Sequence, residues 1–394
     1  MNPAVDGVVP GEVVHATDVA GVRDIVRTVS ARAGAALVAT GLGAHLDIGA
    51  PPRRLDVVLD LHGLDRIVDH QAADMTVTVE AGCSLARLDA VLASAGQWLP
   101  LDPPAFARTT VGGMVAANLA GPLRASRGTV RDLLLGLRVV DAEGAVVSGG
   151  GRVVKNVAGY DMPKLHVGAL GTLGVLVEAT FKVLPRPGRE EAAVLVAASH
   201  ADAAALALGV RDRLDPLWME AGTLDDGIGA AIGVAGIASE IAAARQTIED
   251  VARARRADFR WIEQGAALRA VLADFPVRPA AAVLRVSVLP ADVGPAMMGL
   301  RELGGELPVL AHVANGVVRA RLDDPELAPR IVPRFRAEVA SRGGFVVVER
   351  AHPEVKVGLD VWGDPGEGAA LMRRVKDAFD PRGLFAPGRF VGGI

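Results

Sequence analysis

Apolar and polar residues alternate along this chain in short runs that read as separate elements. VVHA (13–16) predicts a strand, and Asp18 stands as N-cap before VAGVRDIVRTVSARA, whose apolar residues recur at helical spacing. AALVAT, DVVLDL (56–61) and MTVTVEAG (75–82) predict further strands, and SLARLDAVLASAG an amphipathic helix capped by Ser84 and stopped by Gly96. After the proline-rich LPLDPPAFART, the run MVAANLA predicts a helix that begins at Gly112 and Gly113. DAEG between LRVV and AVVSGG predicts a hairpin turn. Val175, Val177, Ala179, Phe181 and Val183 alternate as one face of a strand.

The pattern changes at LPRPGRE, whose composition fits a linker. From Ala192 the order is strand (AAVLVAA), helix (200–214), strand (PLWMEAG), strand (IGAAIGVAG), helix (237–256), strand (FRWIE). From Ala280 the same order returns: AAAVLRVSVL, a helix over 291–303, ELPVLAHV, GVVRARL, a helix over 325–341, and GFVVVER. Two copies of strand-helix-strand-strand-helix-strand are two ferredoxin-like units, expected to form one broad antiparallel sheet with helices on one face.

Glycine changes the picture next. Between residues 109 and 174 lie thirteen of the chain's 46 glycines, which points to a backbone that must approach a ligand closely. Gly112 and Gly113 open a helix whose free N–H groups are expected to make an anion site. Gly168, Gly171 and Gly174, with Thr172 among them, form a loop along which a diphosphate and a flat heterocycle fit. TGLGAHLDIG (40–49) follows the strand AALVA and offers a tight turn with exposed amides; it is neither a Walker loop nor GxGxxG.

TVGGMVAANLAGP, RGTVRDLLLG, VVKNVAGYDMPKLHVGALGTLGVL, ERAHPEVKVGLDVWG and the terminal FDPRGLFAPGRF stand in a characteristic order. At these residues the chain resembles the flavin-binding proteins of the vanillyl-alcohol oxidase and p-cresol methylhydroxylase (PCMH) type, and among them the E subunits of bacterial glycolate oxidase. The resemblance spans nearly the whole chain and is dense from 100 to 186. It implies an α+β fold: a two-subdomain PCMH-type FAD-binding domain over 1–186, a cap domain of ferredoxin-like βαββαβ repeats with an antiparallel sheet over 187–351, and a C-terminal segment, 352–394, that returns to the FAD domain.

The resemblance also implies which residues hold FAD: Thr40, Gly41, Leu42, Gly43 and Ala44 in the first loop; Asp102; Thr110, Gly112, Gly113, Ala116 and Ala117 around the short helix; then Gly128, Lys155 and Asp161, and finally Gly168, Gly171, Thr172, Gly174 and Leu176. Lys155 is placed to counter charge at the flavin N1 and O2 edge. Some relatives attach the flavin to a histidine of the first loop. Here Ala44 holds that position and His45 falls one residue beyond, so non-covalent FAD is expected. Tyr160 and His166 are read as packing residues, and Cys83 as a small buried hydrophobe. Two departures stand out: His352 is not followed by the glycine of the relatives' histidine-glycine motif, and Ala386 stands where the terminal pattern has asparagine. No catalytic residue is assigned.

Composition bounds the rest. The 394 residues carry a formal net charge of -4 and are 51% hydrophobic, as expected of a soluble protein of two or three domains with no nucleic-acid partner. No segment reads as a signal peptide or spanning helix, so a cytoplasmic location is expected, with any membrane association made through partner subunits. Cys83 is the only cysteine, which excludes an internal disulfide and a cysteine-ligated iron-sulfur cluster within the chain. The eight histidines form no HxH or HExxH pair, and no metal site is expected.

Three functions fit. In the favoured one the chain is an FAD-carrying subunit of a glycolate oxidase complex, working with a catalytic flavoprotein subunit and an iron-sulfur subunit to oxidise a small 2-hydroxy acid, glycolate, to glyoxylate. The second is a self-sufficient FAD-dependent 2-hydroxy-acid dehydrogenase. The third is a structural partner subunit with weak or no flavin binding.

Overall fold

The computed structural model describes residues 4–151 and 161–394; Lys155 and Tyr160 lie outside the described residues. The chain forms two compact units, one of residues 1–120, 129–186 and 364–394, the other of 121–128 and 187–363.

Among the described residues the first unit has two larger sheets and one two-stranded pair. Strands β1 (Glu12–His15), β2 (Leu37–Thr40) and β3 (Val57–Asp60) form a parallel sheet in the order β1-β3-β2. Helix α1 (Val19–Ser30) starts at Asp18, whose carboxylate accepts from Gly21 N–H at 2.8 Å. It buries Val22, Val26 and Val29 in one core with Leu37, Val57, Leu59, Val175 and Phe385.

β4 (Ile67–Gln71), β5 (Thr76–Glu80), β6 (Gln97–Trp98), β7 (Leu134–Val140), β8 (Val146–Gly150), β9 (Val175–Lys182) and β10 (Leu184–Pro185) follow. The second sheet is antiparallel, β4-β5-β9-β7-β8, and β6 pairs with β10. β9 alternates buried and half-buried residues, as its pattern predicts. β5 does not alternate: both faces are buried, because Thr78 Oγ1 bonds Thr180 Oγ1 at 2.9 Å and Glu80 is held by Arg66. Helix α2 (Leu85–Ser94), capped by Ser84, and helix α3 (Val111–Ala117) pack Leu88, Leu92, Met114 and Val115 against Val77, Val79 and Phe181.

The C-terminal segment joins this unit through a buried carboxylate. Asp380 accepts from Leu384 N–H (2.8 Å), Phe385 N–H (2.7 Å) and Lys376 Nζ (2.6 Å), while Lys376 also donates to the carbonyls of Thr172 and Phe385. That turn lays Phe385 beside Leu37 of β2, with Leu37 N–H donating to Leu384 O and Ala386 N–H to Leu37 O. Ala386 adopts φ 43, a left-handed conformation that asparagine takes more readily than alanine.

The second unit is one eight-stranded sheet. Its strands are β11 (Glu190–Val196), β12 (Trp218–Leu224), β13 (Gly227–Ala235), β14 (Phe259–Ile262), β15 (Ala282–Ser287), β16 (Val309–His312), β17 (Val317–Leu322) and β18 (Phe345–Ala351), in the order β14-β11-β13-β12-β16-β17-β15-β18. Each half is one βαββαβ unit, and the halves join where the second strands of both repeats meet, at Ala221 opposite Ala311 and Gly222 opposite Leu310. The helices His200–Arg211, Val293–Gly304 and Leu327–Ala340 pack on these strands.

Two boundaries differ from expectation. The return to the first unit comes at Asp364, not at 352, because Val348 N–H donates to Val361 O and Arg336 pairs with Asp360. Residues 121–128 belong to the second unit, where Ser126 Oγ donates to Leu217 O at 2.6 Å. Among the described residues no helix is long and apolar enough to cross a membrane.

Candidate functional site

In the first unit the ends of β2 and β3, the start of α3 and the loop before β9 surround one groove that opens to solvent. The first loop lines it from Thr40 through Gly41, Leu42 and Gly43 to Ala44; Thr110, Gly112, Gly113, Ala116 and Ala117 line a second side, and Gly171, Gly174 and Leu176 a third. All of these are residues the sequence singles out. Leu61, Val115, Ala169 and Leu170 add apolar wall that the glycine pattern does not reveal, and Arg108, His166 and Arg389 add nitrogen.

The polar groups divide differently from expectation. The N–H groups at the start of α3 are already used: Val111 donates to Cys83 O, Gly112 to Ala81 O and Gly113 to Thr110 Oγ1. The helix start therefore presents no free row of amides, and the anion-site reading of Gly112 and Gly113 is corrected. Gly112 is a glycine for packing, since a Cβ there would lie 3.0 Å from Ala81 Cβ and Ala81 O. The free amides are in the first loop. Among the described residues, the N–H groups of Gly41, Leu42 and Gly43 form no hydrogen bond. Gly41 packs so closely that a Cβ would fall 2.5 Å from Thr110 Oγ1.

Arg389, from the terminal GRF, fixes this loop by donating to Leu46 O (2.8 Å) and Ile48 O (2.6 Å), and burial pushes its pKa down. His45 directs Nε2 to Thr109 Oγ1 at 2.7 Å. The Thr109 hydroxyl points to the carbonyls of Pro104 and Ala105, so His45 is the donor. His166 stands edge-on to Phe379, and burial lowers its pKa to about 4, so it lines the groove as a neutral ring. Cys83 is fully buried and its thiol is pushed up to about 11 by burial.

Other expected residues lie elsewhere. Asp102 is buried outside the groove lining, and Thr172 is buried with its hydroxyl on Ala169 O and its carbonyl on Lys376. Gly168 packs near Asn118 with φ 80, Asp161 is exposed and paired with Lys164, and Gly128 belongs to the second unit.

The second unit carries a buried cluster of charge that sequence reasoning missed. Residues opposed across antiparallel strands share a face. Arg285 opposes Arg319, Arg319 opposes Leu310, and Leu310 opposes Gly222. Counting along the strands by two puts Glu220, His312, Arg319 and Arg285 on one face. Arg319 grips Glu349 with Nε (2.7 Å) and Nη2 (3.1 Å) and donates through Nη1 to His312 Nε2 at 2.6 Å. A guanidinium only donates, so the His312 proton is on Nδ1, which bonds Glu220 Oε1. Burial, then the Arg319 charge, puts the His312 pKa well below its ordinary value. Burial alone would raise Glu349, but Arg319, Arg285 and Arg350 outweigh it and hold the carboxylate at about 2. The guanidinium groups of Arg124 and Arg285 face this cluster and donate no hydrogen bond among the described residues. Burial and neighbouring cations lower Arg124 to about 10.

Comparison with known proteins agrees with this geometry. Residues 10–150 match a family model described as FAD binding domain, and residues 364–390 one described as FAD linked oxidases, C-terminal domain. The glycolate oxidase subunit GlcE of Escherichia coli is 43% identical over 152 residues, covering 38% of this chain and 43% of that protein. The glycolate oxidase subunit GlcD of Bacillus subtilis is 34% identical over 169 residues, covering 43% of this chain and 36% of that protein. The chain thus matches less than half the length of either relative. Among solved structures, p-cresol methylhydroxylase with substrate bound superposes with a TM-score of 0.75 at 17% identity, over 97% of this chain and 88% of that one. At that identity the likeness establishes the fold, a PCMH-type FAD fold, and FAD is the cofactor its domain is built for.

Proposed function

We propose that this chain, an FAD-linked oxidoreductase by the domains it carries, is the FAD-binding subunit of a glycolate oxidase complex and hands electrons from a small 2-hydroxy acid to an iron-sulfur partner. The likeness to GlcE over 152 residues supports the complex, and the single cysteine leaves these 394 residues without the ligands of an iron-sulfur cluster, so onward electron transfer needs a partner. Bound FAD supplies hydride acceptance at its flavin ring. The free amides of Gly41, Leu42 and Gly43 suit its diphosphate, and the apolar wall of Leu61, Val115, Leu170 and Leu176 suits a flat ring system.

The observation that carries the subunit reading over the self-sufficient dehydrogenase is His312. Both of its ring nitrogens are bonded, Nδ1 to Glu220 and Nε2 to Arg319, so this buried imidazole has no lone pair left to take a hydroxyl proton. A base contributes about 10²–10⁴ in rate. The purified, flavin-loaded chain is therefore expected to reduce an artificial dye with glycolate far more slowly than the same chain assembled with its partners. Equal rates would replace the subunit reading with the self-sufficient one. A colourless protein that takes up no added FAD would point to a structural partner.

A further inference from the structure

The parallel sheet of the first unit ends in a group of side chains that the flavin groove does not use. His15 is the last residue of β1 and Asp60 the last of β3, and they are register partners in the ladder. His62 follows two residues later and is pinned by its own N–H, which donates to Asp60 Oδ1 at 2.8 Å. Both imidazoles present Nδ1 to one oxygen, Asp60 Oδ2, at 3.0 Å from His15 and 2.7 Å from His62. The three ligand atoms lie within 4.8 Å of one another.

We propose that His15, Asp60 and His62 bind one divalent transition-metal ion of the zinc class. Two imidazole nitrogens and a carboxylate oxygen are the donor set that borderline ions such as Zn²⁺, Co²⁺ and Ni²⁺ favour over Mg²⁺ or Ca²⁺. In the metal-free chain the nitrogens meet Oδ2 through protons. An ion placed among the three atoms replaces those bridging protons and is held by the same lone pairs. Backbone positioning is in place before binding: the β1–β3 ladder sets the His15 to Asp60 spacing, and the His62 N–H holds the other carboxylate oxygen as an outer partner. The two rings are more than half exposed, at 61% and 56%, which leaves room for water to complete the coordination, and the carboxylate is 17% exposed.

The ion would tie the end of β1 to the chain just after β3. Leu61, between two of the ligands, lines the groove, while Asp60 and His62 do not. The site therefore acts as a clasp beside the cofactor groove, and this proposal stands whether or not the glycolate reading does.

The test uses the full chain with its flavin, stripped with a chelator and titrated with Co²⁺ and Zn²⁺. The expected result is one tight equivalent per chain, visible d–d absorption with Co²⁺, and a melting temperature raised by Zn²⁺. His15→Ala and His62→Ala should each weaken the ion at least as much as the ~10–100-fold that loss of an outer partner costs. Both should keep their flavin content, since neither residue lines the groove. Asp60→Asn should weaken it by the same order. Binding that is unchanged in the two histidine variants, or no stoichiometric equivalent in the parent chain, overturns the proposal.

Discussion

Arg319 donates through Nη1 to Nε2 of His312 at 2.6 Å, and that one bond fixes the tautomer of a buried histidine and removes its basic lone pair. The same guanidinium holds Glu349, so a cation, a neutral ring and a carboxylate form one unit in which each sets the protonation of the next. Its consequences can be measured.

Acid should weaken the second unit through this cluster. Glu349 moves from 4.5 to about 2 on folding, so the unfolded chain binds the proton first as pH falls. Its stabilisation is fully present above pH 4.5 and is lost between there and pH 2, for roughly 3 kcal/mol. The His312 pKa is also depressed on folding, so its contribution is lost in the same direction as pH drops below 6.5. Denaturant unfolding of the parent and Glu349→Gln should show a large gap at pH 7 that narrows by pH 3. A gap independent of pH would contradict the assignment.

Two glycines of the groove should fail for different reasons. Gly41→Ala places a methyl group 2.5 Å from Thr110 Oγ1, so the first loop must shift, at a cost of about 1–3 kcal/mol. Stability and flavin occupancy should fall together. At Gly113 a Cβ meets only Thr110 Oγ1, at 3.2 Å, and Gly113→Asp adds a carboxylate at a residue that lines the groove. It should lose flavin while melting close to the flavin-stripped parent, because only the cofactor's own stabilisation is lost. The ratio of absorbance at 450 nm to protein, read beside thermal unfolding, distinguishes the two.

FAD should be released on acid precipitation. Ala44 offers no nucleophile, and the Nε2 of His45 is bonded to Thr109 Oγ1. Yellow colour that stays with the washed pellet would show a covalent link.

Removing the Asp380 carboxylate should loosen the C-terminal segment. In Asp380→Ala, the buried Lys376 ammonium loses its counter-charge and two N–H groups lose their acceptor. Breaking one partner of a buried pair costs about 3–5 kcal/mol. Limited proteolysis should cut the terminal segment first, and a variant with parental stability would show that the pair is not what docks it.

The caps and strands were legible because their causes are local. Asp18 and Ser84 accept from N–H groups three residues on, and β9 buries every second residue, so a short window of sequence contains both partners of each interaction. The doubled βαββαβ order was legible for the same reason. The strand Ile67–Gln71 and the helix Gly265–Ala273 were not: the strand is only partly buried, and the helix has no side-chain cap.

Sequence by itself singled out the first loop, the Thr110–Ala117 segment and the 171–176 segment, through their glycines and the family resemblance they carry, and all three line one groove. Tertiary structure decided what each glycine is for. Gly112 is small because Ala81 is behind it, while the amides from Gly41 to Gly43 stay free because β2 ends just before them. It also decided both side-chain clusters. His15 meets Asp60, and Glu220 meets His312, only through strand register across 45 and 92 residues of chain. No periodicity within a strand encodes which distant strand will lie beside it; that follows from how the whole core packs.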